Sequence, residues 1–447
     1  MADAVKNSDN QAVKQSRTQA IKQMIDSKLL PSDRDLNGLV PKKISLAGGK
    51  PLYLFHSHSV DILKLDFVYN AGSALQPKPL CAGLARDMLL DASPTHTVSQ
   101  VAEMFDRLGV AIDRQLTAST AKISVYTLKK YAAQVYPVLR DLLQEPLFGS
   151  NEYDILVSKR RQILLANQMK TSMVARNIFY QAIYGPDHPE GRYSVPGDEQ
   201  RISLDEVRVF AKERLTLNNA TLVLAGNYDD ETLKLIDNCF ATPNTTENPD
   251  YSGILESSAS QVPQKIKSQI PASVQTTLRI GRMMPIAWDD PDYPMFMILN
   301  TVLGGYFGSR LMANIREEKG YTYGIHSMTN MVRGSSVFYI TTDVANEVAE
   351  PALAEIYKEI ELLRSESVSD DELNLVCNYM AGDFLRSIDG IFERSERFYN
   401  MMDTRIDERF TRNFFDALRT VTPEKLRQIA RQFLTPGDMT EVVVGAQ

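Results

Sequence analysis

The segment of the chain with the clearest capacity for chemistry is LGGYFGSRLMANIREEKGYTYGI, residues 303–325. Ser309 is expected to cap a helix that runs through Arg316, and Gly320 suits the left-handed residue that ends such a helix. Tyr323 then begins the next predicted strand, only seven residues after Arg316. This order of helix, stop and strand can bring a guanidinium and a phenol, both hydrogen-bond donors, towards one surface.

The same residues also have a purely structural explanation. Arg316 in the last turn of a helix can interact with the helix C-terminus, and Tyr323 can be an ordinary residue of an edge strand. The neighbouring glycines Gly304, Gly305 and Gly308 permit a tight loop whose backbone approaches another group closely. They do not form a phosphate-binding loop, because the pattern GxxxxGK[ST] is missing. At this point both explanations stay open.

Residues that could bind a metal are scattered. The three cysteines lie far apart and share no CxxC spacing, which argues against a disulfide framework or a thiolate zinc site. Of the five histidines, only His56 and His58 are close in sequence, at the end of a predicted hairpin that turns at Gly48-Gly49. Both would share one face of a strand. Without a third obvious ligand, they are interpreted as solvent-facing residues, with a metal site as the alternative.

The elements that must position Arg316 and Tyr323 belong to an internal repeat. Residues 203–226 and 422–445 align without gaps at an offset of 219. Each begins with a Ser or Thr N-cap and an acidic first turn, and each has apolar residues at helical spacing. A polar turn then leads into a short β-branched run that ends in Gly, which predicts a buried strand.

A second parallel supports the repeat. Residues 122–148 and 337–363 each run from a strand through a polar turn into an amphipathic helix. Two α+β domains are therefore predicted, at 1–240 and 265–447. Between them, residues 241–264 are rich in Pro, Asn, Thr and Ser and lack periodicity, as is typical of a linker.

Composition excludes several classes of protein. Of 447 residues, 43% are hydrophobic and 23% are charged, which is typical of globular proteins that bury several cores. The formal net charge of −7 argues against nucleic acid as the main partner. No apolar run approaches the length of a membrane span. The polar N-terminus predicts no signal peptide. The compartment stays open: cytoplasmic, or periplasmic or secreted if a signal peptide has been removed.

The segment GGYFGSRLMANIREEKGYTYGI resembles the C-terminal-domain signature of the pitrilysin/insulinase family, the inverzincin metallopeptidases. The shared pattern is a Gly-Gly loop, a Ser-Arg-Leu and then Arg-Glu-x-Lys-Gly-x-x-Tyr. Residues 67–93 are similar to the family's first zinc-helix segment, and residues 185–226 to the later part of its first domain. The resemblance implies two homologous α+β domains, each a mostly antiparallel or mixed sheet with helices packed on one face.

One departure from the family pattern decides the chemistry. The family's zinc site is His-x-x-Glu-His on a helix, with a further Glu as third ligand. Here Arg86 and Leu90 stand where the histidines are expected, Leu89 stands at the catalytic Glu, and Asn167 aligns with the third ligand. Arg and Leu cannot bind zinc, and Leu cannot accept a proton. This chain alone is therefore not expected to be a zinc peptidase.

The resemblance implies a role as the zinc-less subunit of a heteromeric zinc metalloendopeptidase, as in bacterial two-subunit peptidases and the mitochondrial processing peptidase. In that role Tyr323 would hydrogen-bond the scissile carbonyl, and Arg316 would hold substrate backbone or carboxylate. The Gly304-Gly305 loop would lie against the substrate path. This chain would bind no cofactor, since the zinc, its ligands and the general base would come from a homologous partner subunit.

Two alternatives stay open. The first is a structural or binding pseudopeptidase, like the respiratory-chain core subunits that resemble this family. The second is an autonomous peptidase whose metal ligands come from unexpected positions. The retained Arg316 and Tyr323 favour the catalytic partner, because a scaffold has no need of that pair.

Overall fold

The computed structural model describes residues 39–243, 249, 251, 253–255 and 262–446. Within them lie two β-sheets. The strands of the first sheet are β1 (Lys42–Ser45), β2 (Pro51–His56), β3 (Ile62–Tyr69), β4 (Ala111–Leu116), β5 (Ala121–Leu128) and β6 (Ala220–Gly226). The strands of the second sheet are β7 (Lys265–Gln269), β8 (Gln275–Met283), β9 (Thr322–Val332), β10 (Ser335–Ala345) and β11 (Thr440–Gly445).

The α-helices also fall into two sets. Those of the first half are α1 (Cys81–Met88), α2 (Val98–Leu108), α3 (Ala132–Gln144), α4 (Ser150–Gln168), α5 (Thr171–Tyr184), α6 (Leu204–Arg214) and α7 (Asp230–Phe240). Those of the second half are α8 (Asp292–Asn300), α9 (Ala349–Ser365), α10 (Asp370–Arg386), α11 (Ile391–Thr404), α12 (Arg409–Thr420) and α13 (Pro423–Phe433). Two π-helical turns follow α8: Thr301–Gly305, which contains Gly304 and Gly305, and Met312–Glu318, which contains Arg316.

The two sheets share one topology. Their strand orders are β1-β2-β6-β3-β5-β4 and β7-β11-β8-β10-β9. In the first sheet β6 is parallel to β2 and antiparallel to β3, and in the second β11 is parallel to β7 and antiparallel to β8. The remaining pairs are antiparallel in both sheets, with β1 as an addition to the first. This correspondence confirms the repeat predicted from the sequence.

Local sequence signals account for the repeated elements. The Ser203 hydroxyl accepts a hydrogen bond from the amide of Glu206 at the start of α6, and the Thr422 hydroxyl does the same for Lys425 at the start of α13. The predicted hairpin between β1 and β2 turns at Gly48 and Gly49, whose φ angles are +88° and +85°. Side chains other than glycine rarely adopt such angles.

Each half has its own main hydrophobic core between its sheet and its helices. The first core includes Leu52 and Leu54 of β2 with Leu222 and Leu224 of β6. The second includes alternate residues of β8 and β10. Alternation at period two places these side chains on one face of each sheet. The predicted fold class, two similar α+β units with mixed sheets, is confirmed.

The opposite face of each sheet is covered by a helix from the other half. Val337 of β10 lies in a cluster with Phe179 and Ile183 of α5, whereas its neighbour Phe338 lies in the main core. In the first sheet, Phe55 and Val223 contact α11 through a separate apolar cluster. The sequence did not predict this reciprocal packing.

A buried charge cluster reinforces the contact of α11 with the first sheet. Lys64 of β3 donates to Asp66 at 2.9 Å and to Glu396 of α11 at 2.5 Å. Lys122 of β5 donates to both carboxylate oxygens of Glu396, at 2.7 Å and 2.6 Å. Because both lysines are fully buried, their charges are compensated by these carboxylates rather than by water.

Some sequence predictions concern residues that the structure does not describe. The N-terminal residues 1–38 and most of the predicted linker 241–264 are among them. Within that linker Tyr251 is described and buried, and its hydroxyl donates to the carbonyl of Ser119 at 2.7 Å. The domain bounds 1–240 and 265–447 therefore stay predictions. In the described part of the chain, no helix has the length and apolar character needed to cross a membrane.

Candidate functional site

The glycine-rich segment is packed against the edge of the second sheet. The strand order ends at β9, and the π-helical turn Thr301–Gly305 lies against it. A β-carbon added to Gly304 would lie 2.7 Å from the backbone nitrogen of Ser327 in β9, which is too close for any other residue. Gly304 is thus required for packing, whereas Gly305 is exposed. A substrate-binding role for the two glycines stays a prediction.

Arg310 anchors the helix that carries Arg316. Its guanidinium donates two hydrogen bonds to Glu372 of α10, at 2.8 Å and 2.7 Å. These hydrogen bonds raise the pKa of Arg310 above its usual value. Asn314, one turn further on, donates to Glu355 and Glu359 of α9. The segment is therefore fixed by polar contacts to α9 and α10.

The predicted cap of this helix is wrong in one respect. The helix begins directly after Ser309, but the Ser309 hydroxyl is buried and has no hydrogen-bond partner among the described residues. The side chain points inward because Ser309 is part of a turn closed onto the carbonyl of Tyr306. The predicted stop is confirmed: Gly320 has a φ of +67°.

Arg316 lies in the π-helical turn Met312–Glu318 near its end. Its guanidinium carbon is 4.5 Å from the ring centroid of Phe307, a cation–π contact. The nearest carboxylate is that of Glu317, at 3.8 Å. The side chain is one-third exposed, so its remaining N–H groups can reach an added ligand. Phe307 was not among the residues predicted from the sequence, although the aromatic pair Tyr306-Phe307 inside a glycine-rich loop is a usable signal.

Tyr323 stands at a β-bulge in the edge strand β9. The register pairs Thr322 with Val344 and Ile325 with Thr342, so that Tyr323 and Gly324 together oppose Asp343. A bulge re-aims a side chain relative to simple alternation. The Tyr323 side chain is 96% exposed and Phe307 is 63% exposed. The structure thus exposes the Tyr323 phenol and the Phe307 ring, and the Arg316 guanidinium stacks on that ring.

The positions of the family's zinc motif are occupied by side chains that make an ion pair or pack in the core. Arg86 of α1 is buried and donates to Asp87, and Arg160 of α4 donates to the other oxygen of that carboxylate. Leu89 and Leu90 are part of the first hydrophobic core. Asn167, near the end of α4, lines a neighbouring cavity. These four side chains do not fit a zinc ion, since none offers an imidazole, thiolate or carboxylate.

Potential metal ligands elsewhere in the described residues do not form a site. No group of three or more His, Cys, Asp or Glu side chains there is arranged to hold a metal ion. His56 and His58 are both exposed, with ring centroids 4.3 Å apart, and His56 lies 3.1 Å from the carbonyl oxygen of Tyr228. This agrees with the interpretation of the two histidines as solvent-facing residues.

Comparison with known proteins finds similarity to one family. Residues 201–380 match the model of the peptidase M16 inactive domain. The "uncharacterized zinc protease YmxG" of Bacillus subtilis is 21% identical, over 78% of this chain and 84% of that protein. Over most of its length, the chain is therefore similar to proteins of the M16 peptidase family. This confirms the resemblance to the pitrilysin/insulinase peptidases that the motifs indicated.

A further relative and a solved structure match nearly the whole chain. The "non-peptidase homolog YmxG" of Helicobacter pylori is 20% identical, over 88% of this chain and 91% of that protein. A crystal structure of a peptidase M16 inactive domain from Pseudomonas fluorescens superposes with a TM-score of 0.80 at 21% identity, covering 91% of this chain and 98% of that one. This M16 homologue therefore has the family fold, with a first half in which the zinc motif is replaced.

Proposed function

We propose that this M16 homologue is the zinc-less subunit of a heteromeric metalloendopeptidase. It supplies Arg316 and Tyr323 to an active site whose metal and general base belong to a homologous partner subunit. The observation that carries the proposal is the near-complete exposure of Tyr323, at 96%, on a bulged edge strand that contacts the turn carrying Arg316. A tyrosine with a structural role would bury its ring, whereas this one offers its whole side chain to another molecule.

Each side chain has a separate task in the proposed reaction. The Tyr323 hydroxyl donates a hydrogen bond to the scissile carbonyl oxygen and strengthens that bond as negative charge develops there. Arg316 binds substrate carbonyls or a carboxylate through its free N–H groups. Phe307 lies under the guanidinium at 4.5 Å and restricts its orientation. This chain thus contributes substrate binding and oxyanion stabilisation, and it leaves proton transfer to the partner.

The first half supports the division of labour. Leu89 and Leu90 fill the core at positions where the family has a general base and a metal ligand. Arg86 is held in an ion pair with Asp87. Restoring a zinc site here would need several simultaneous substitutions. In this proposal the chain therefore depends on another subunit for hydrolysis. Edge strand β9 and the exposed aromatics would then face that subunit or the peptide between the two.

A second function, a binding or structural pseudopeptidase, has its own support. One relative is named a non-peptidase homologue, and another, from Bacillus subtilis, a probable inactive metalloprotease. Under this alternative, Arg316 and Tyr323 bind a peptide or a partner without aiding turnover. The alternative predicts that the chain leaves the peptidase activity of any zinc-bearing homologue unchanged.

Reconstitution separates the two functions. The purified chain is mixed with an M16 homologue that has an intact His-x-x-Glu-His motif, and hydrolysis of a peptide library is followed. We expect activity from the mixture that neither protein shows alone. The control mixture contains a variant with both Arg316→Ala and Tyr323→Phe. Equal activity with the wild-type chain and this control would overturn the proposal and favour the pseudopeptidase.

A further inference from the structure

Two neighbouring cavities are lined almost entirely by residues of the first half, with Ser268 of β7 as an addition, and Arg86 of the replaced zinc motif lines one of them. Their volumes are about 340 Å³ and 590 Å³. They share five lining residues, which run from the start of α1 and the middle of α4 to the loop after α5: Leu80, Arg160, Arg192, Tyr193 and Ser194. We call this continuous space the arginine groove.

The charge of the arginine groove has one sign. Arg86 lines the first cavity, Arg176 the second, and Arg160 and Arg192 line both. No described Asp or Glu lines either cavity. This is unexpected in a chain whose formal net charge is −7, in which acidic residues outnumber basic ones. Such a concentration of guanidiniums in a cleft focuses a positive potential.

Nearby carboxylates neutralise only part of that charge. Asp87 accepts hydrogen bonds from Arg86 and Arg160, and its single negative charge balances one of these two positive charges. Glu190 lies near Arg176, and burial raises its pKa to about 7, so at neutral pH it carries only part of a negative charge. Four guanidiniums against these two groups leave an excess of at least two positive charges. Arg176 and Arg192 are exposed and open to a ligand.

The walls between the arginines are apolar. Leu80 and Leu116 line the first cavity, and Ile163, Val174 and Ile178 line the second. A ligand that fills the groove must therefore combine at least two carboxylates with apolar groups. Guanidinium forks match carboxylates geometrically, and the apolar walls match aliphatic side chains. A single small anion would occupy only a fraction of the space.

We propose that the arginine groove binds peptide segments in which acidic and apolar side chains alternate. Arg192 and Arg176 bind two carboxylates of the peptide, while Arg86 and Arg160, held by Asp87, line the groove between α1 and α4. This site is separate from Arg316 and Tyr323 and needs no partner subunit.

The test uses the full chain alone and a fluorescein-labelled octapeptide of alternating Glu and Leu, with fluorescence anisotropy as the readout. The counterpart with Gln in place of Glu is the matched peptide control. We expect the Glu peptide to bind and the Gln peptide to bind at least about tenfold more weakly, because hydrogen bonds to charged groups are stronger than those to neutral groups. Binding should weaken with added salt.

Two single variants locate the site. Arg192→Gln and Arg176→Gln should each weaken binding of the Glu peptide about tenfold or more. Arg412→Gln, at an exposed position of α12, is the matched control and should bind as the wild type does. Thermal melts should be unchanged in all three, because the three arginines are exposed. Equal binding of the Glu and Gln peptides, or equal loss in the control variant, would overturn the proposal.

Competition with small anions tests whether the ligand is a peptide. Glutarate and inorganic phosphate should displace the Glu peptide only at concentrations far above the peptide's own Kd. If glutarate or phosphate displaced the Glu peptide at a concentration similar to the peptide's Kd, the ligand would be a small anion and not a peptide. That result would overturn the proposal. Since none of these measurements involves Tyr323 or a zinc-bearing protein, failure here leaves the proposed peptidase function standing, and failure of that function leaves the arginine groove standing.

Discussion

Arg316 stacks on Phe307, with the guanidinium carbon 4.5 Å from the ring centroid, and this contact orients the basic side chain at the surface. At exposed sites such contacts contribute about 0.5–1 kcal/mol. Phe307→Leu should therefore raise the KM of the assembled peptidase about two- to fivefold, with a smaller change in kcat, because Arg316 contacts substrate before the transition state. Peptide hydrolysis kinetics of the reconstituted complex provide the measurement.

The matched control for this prediction is a second surface cation–π contact. Arg409 lies 5.5 Å from the ring of Trp288, at a different part of the second half. Trp288→Leu should leave both KM and kcat unchanged. Equal effects of Trp288→Leu and Phe307→Leu would mean that Phe307 has no particular role in positioning Arg316.

Gly304 is predicted to matter for folding rather than for chemistry. In Gly304→Ala the new β-carbon would lie 2.7 Å from the backbone nitrogen of Ser327, and the strand must shift. Such overpacking costs about 1–3 kcal/mol, which denaturant unfolding would detect. Gly382→Ala, in open space within α10, should instead stabilise by up to about 1 kcal/mol. A stable but inactive Gly304→Ala variant would instead favour a substrate role for the glycine loop.

Glu396 joins the two halves through Lys64 and Lys122. Burial by itself would raise its pKa, but the two lysines outweigh burial and hold the pKa of Glu396 below its usual value. A carboxylate whose pKa is lower in the folded state stabilises the fold at pH values above its unfolded pKa, which is near 4.3. This stabilisation is lost as the pH falls through the folded pKa. Glu396→Gln should thus destabilise the protein at pH 7, by about 3 kcal/mol or less given its partial exposure.

Unfolding at several pH values tests the sign of this effect. The difference in unfolding free energy between the wild type and Glu396→Gln should shrink as the pH is lowered through 4 and below. Glu393→Gln, on the same helix, is a control that should show no such loss. A difference that is constant with pH would contradict the assignment of charge compensation to Glu396.

Zinc content follows from the side chains at the motif positions. The chain washed with chelator should contain no stoichiometric zinc by elemental analysis, because Arg86, Leu89 and Leu90 cannot replace two imidazoles and a base. A weak surface ion at His56 and His58 would be removed by the wash. About one tightly held zinc per chain would contradict this prediction.

The sequence was sufficient for features set by local or repeated signals. The caps at Ser203 and Thr422, the hairpin glycines and the 219-residue offset predicted the repeated topology, because each depends on residues close in sequence. The Gly320 stop was predictable for the same reason. The hydroxyl of Ser309 was not, since its orientation depends on the packing of the turn around it.

Features that depend on contacts between residues far apart in the chain could not be predicted from the sequence. The bulge at Tyr323 exists only relative to Asp343, and the exposure of its ring follows from the edge position of β9. The packing of α5 on the second sheet and of α11 on the first joins residues far apart in the chain. The arginine groove likewise combines side chains from α1, α4, α5 and a loop, whose shared location no local pattern indicates.

The measurement that tests the central claim most directly is the kcat of the reconstituted peptidase with Tyr323→Phe. The change removes one hydroxyl from a side chain that is 96% exposed, so stability should not change. Loss of one oxyanion donor typically lowers kcat by about 10²–10³, and this loss is the result we expect. Full kcat in Tyr323→Phe, with unchanged assembly, would contradict the account and leave the chain as a binding or structural pseudopeptidase.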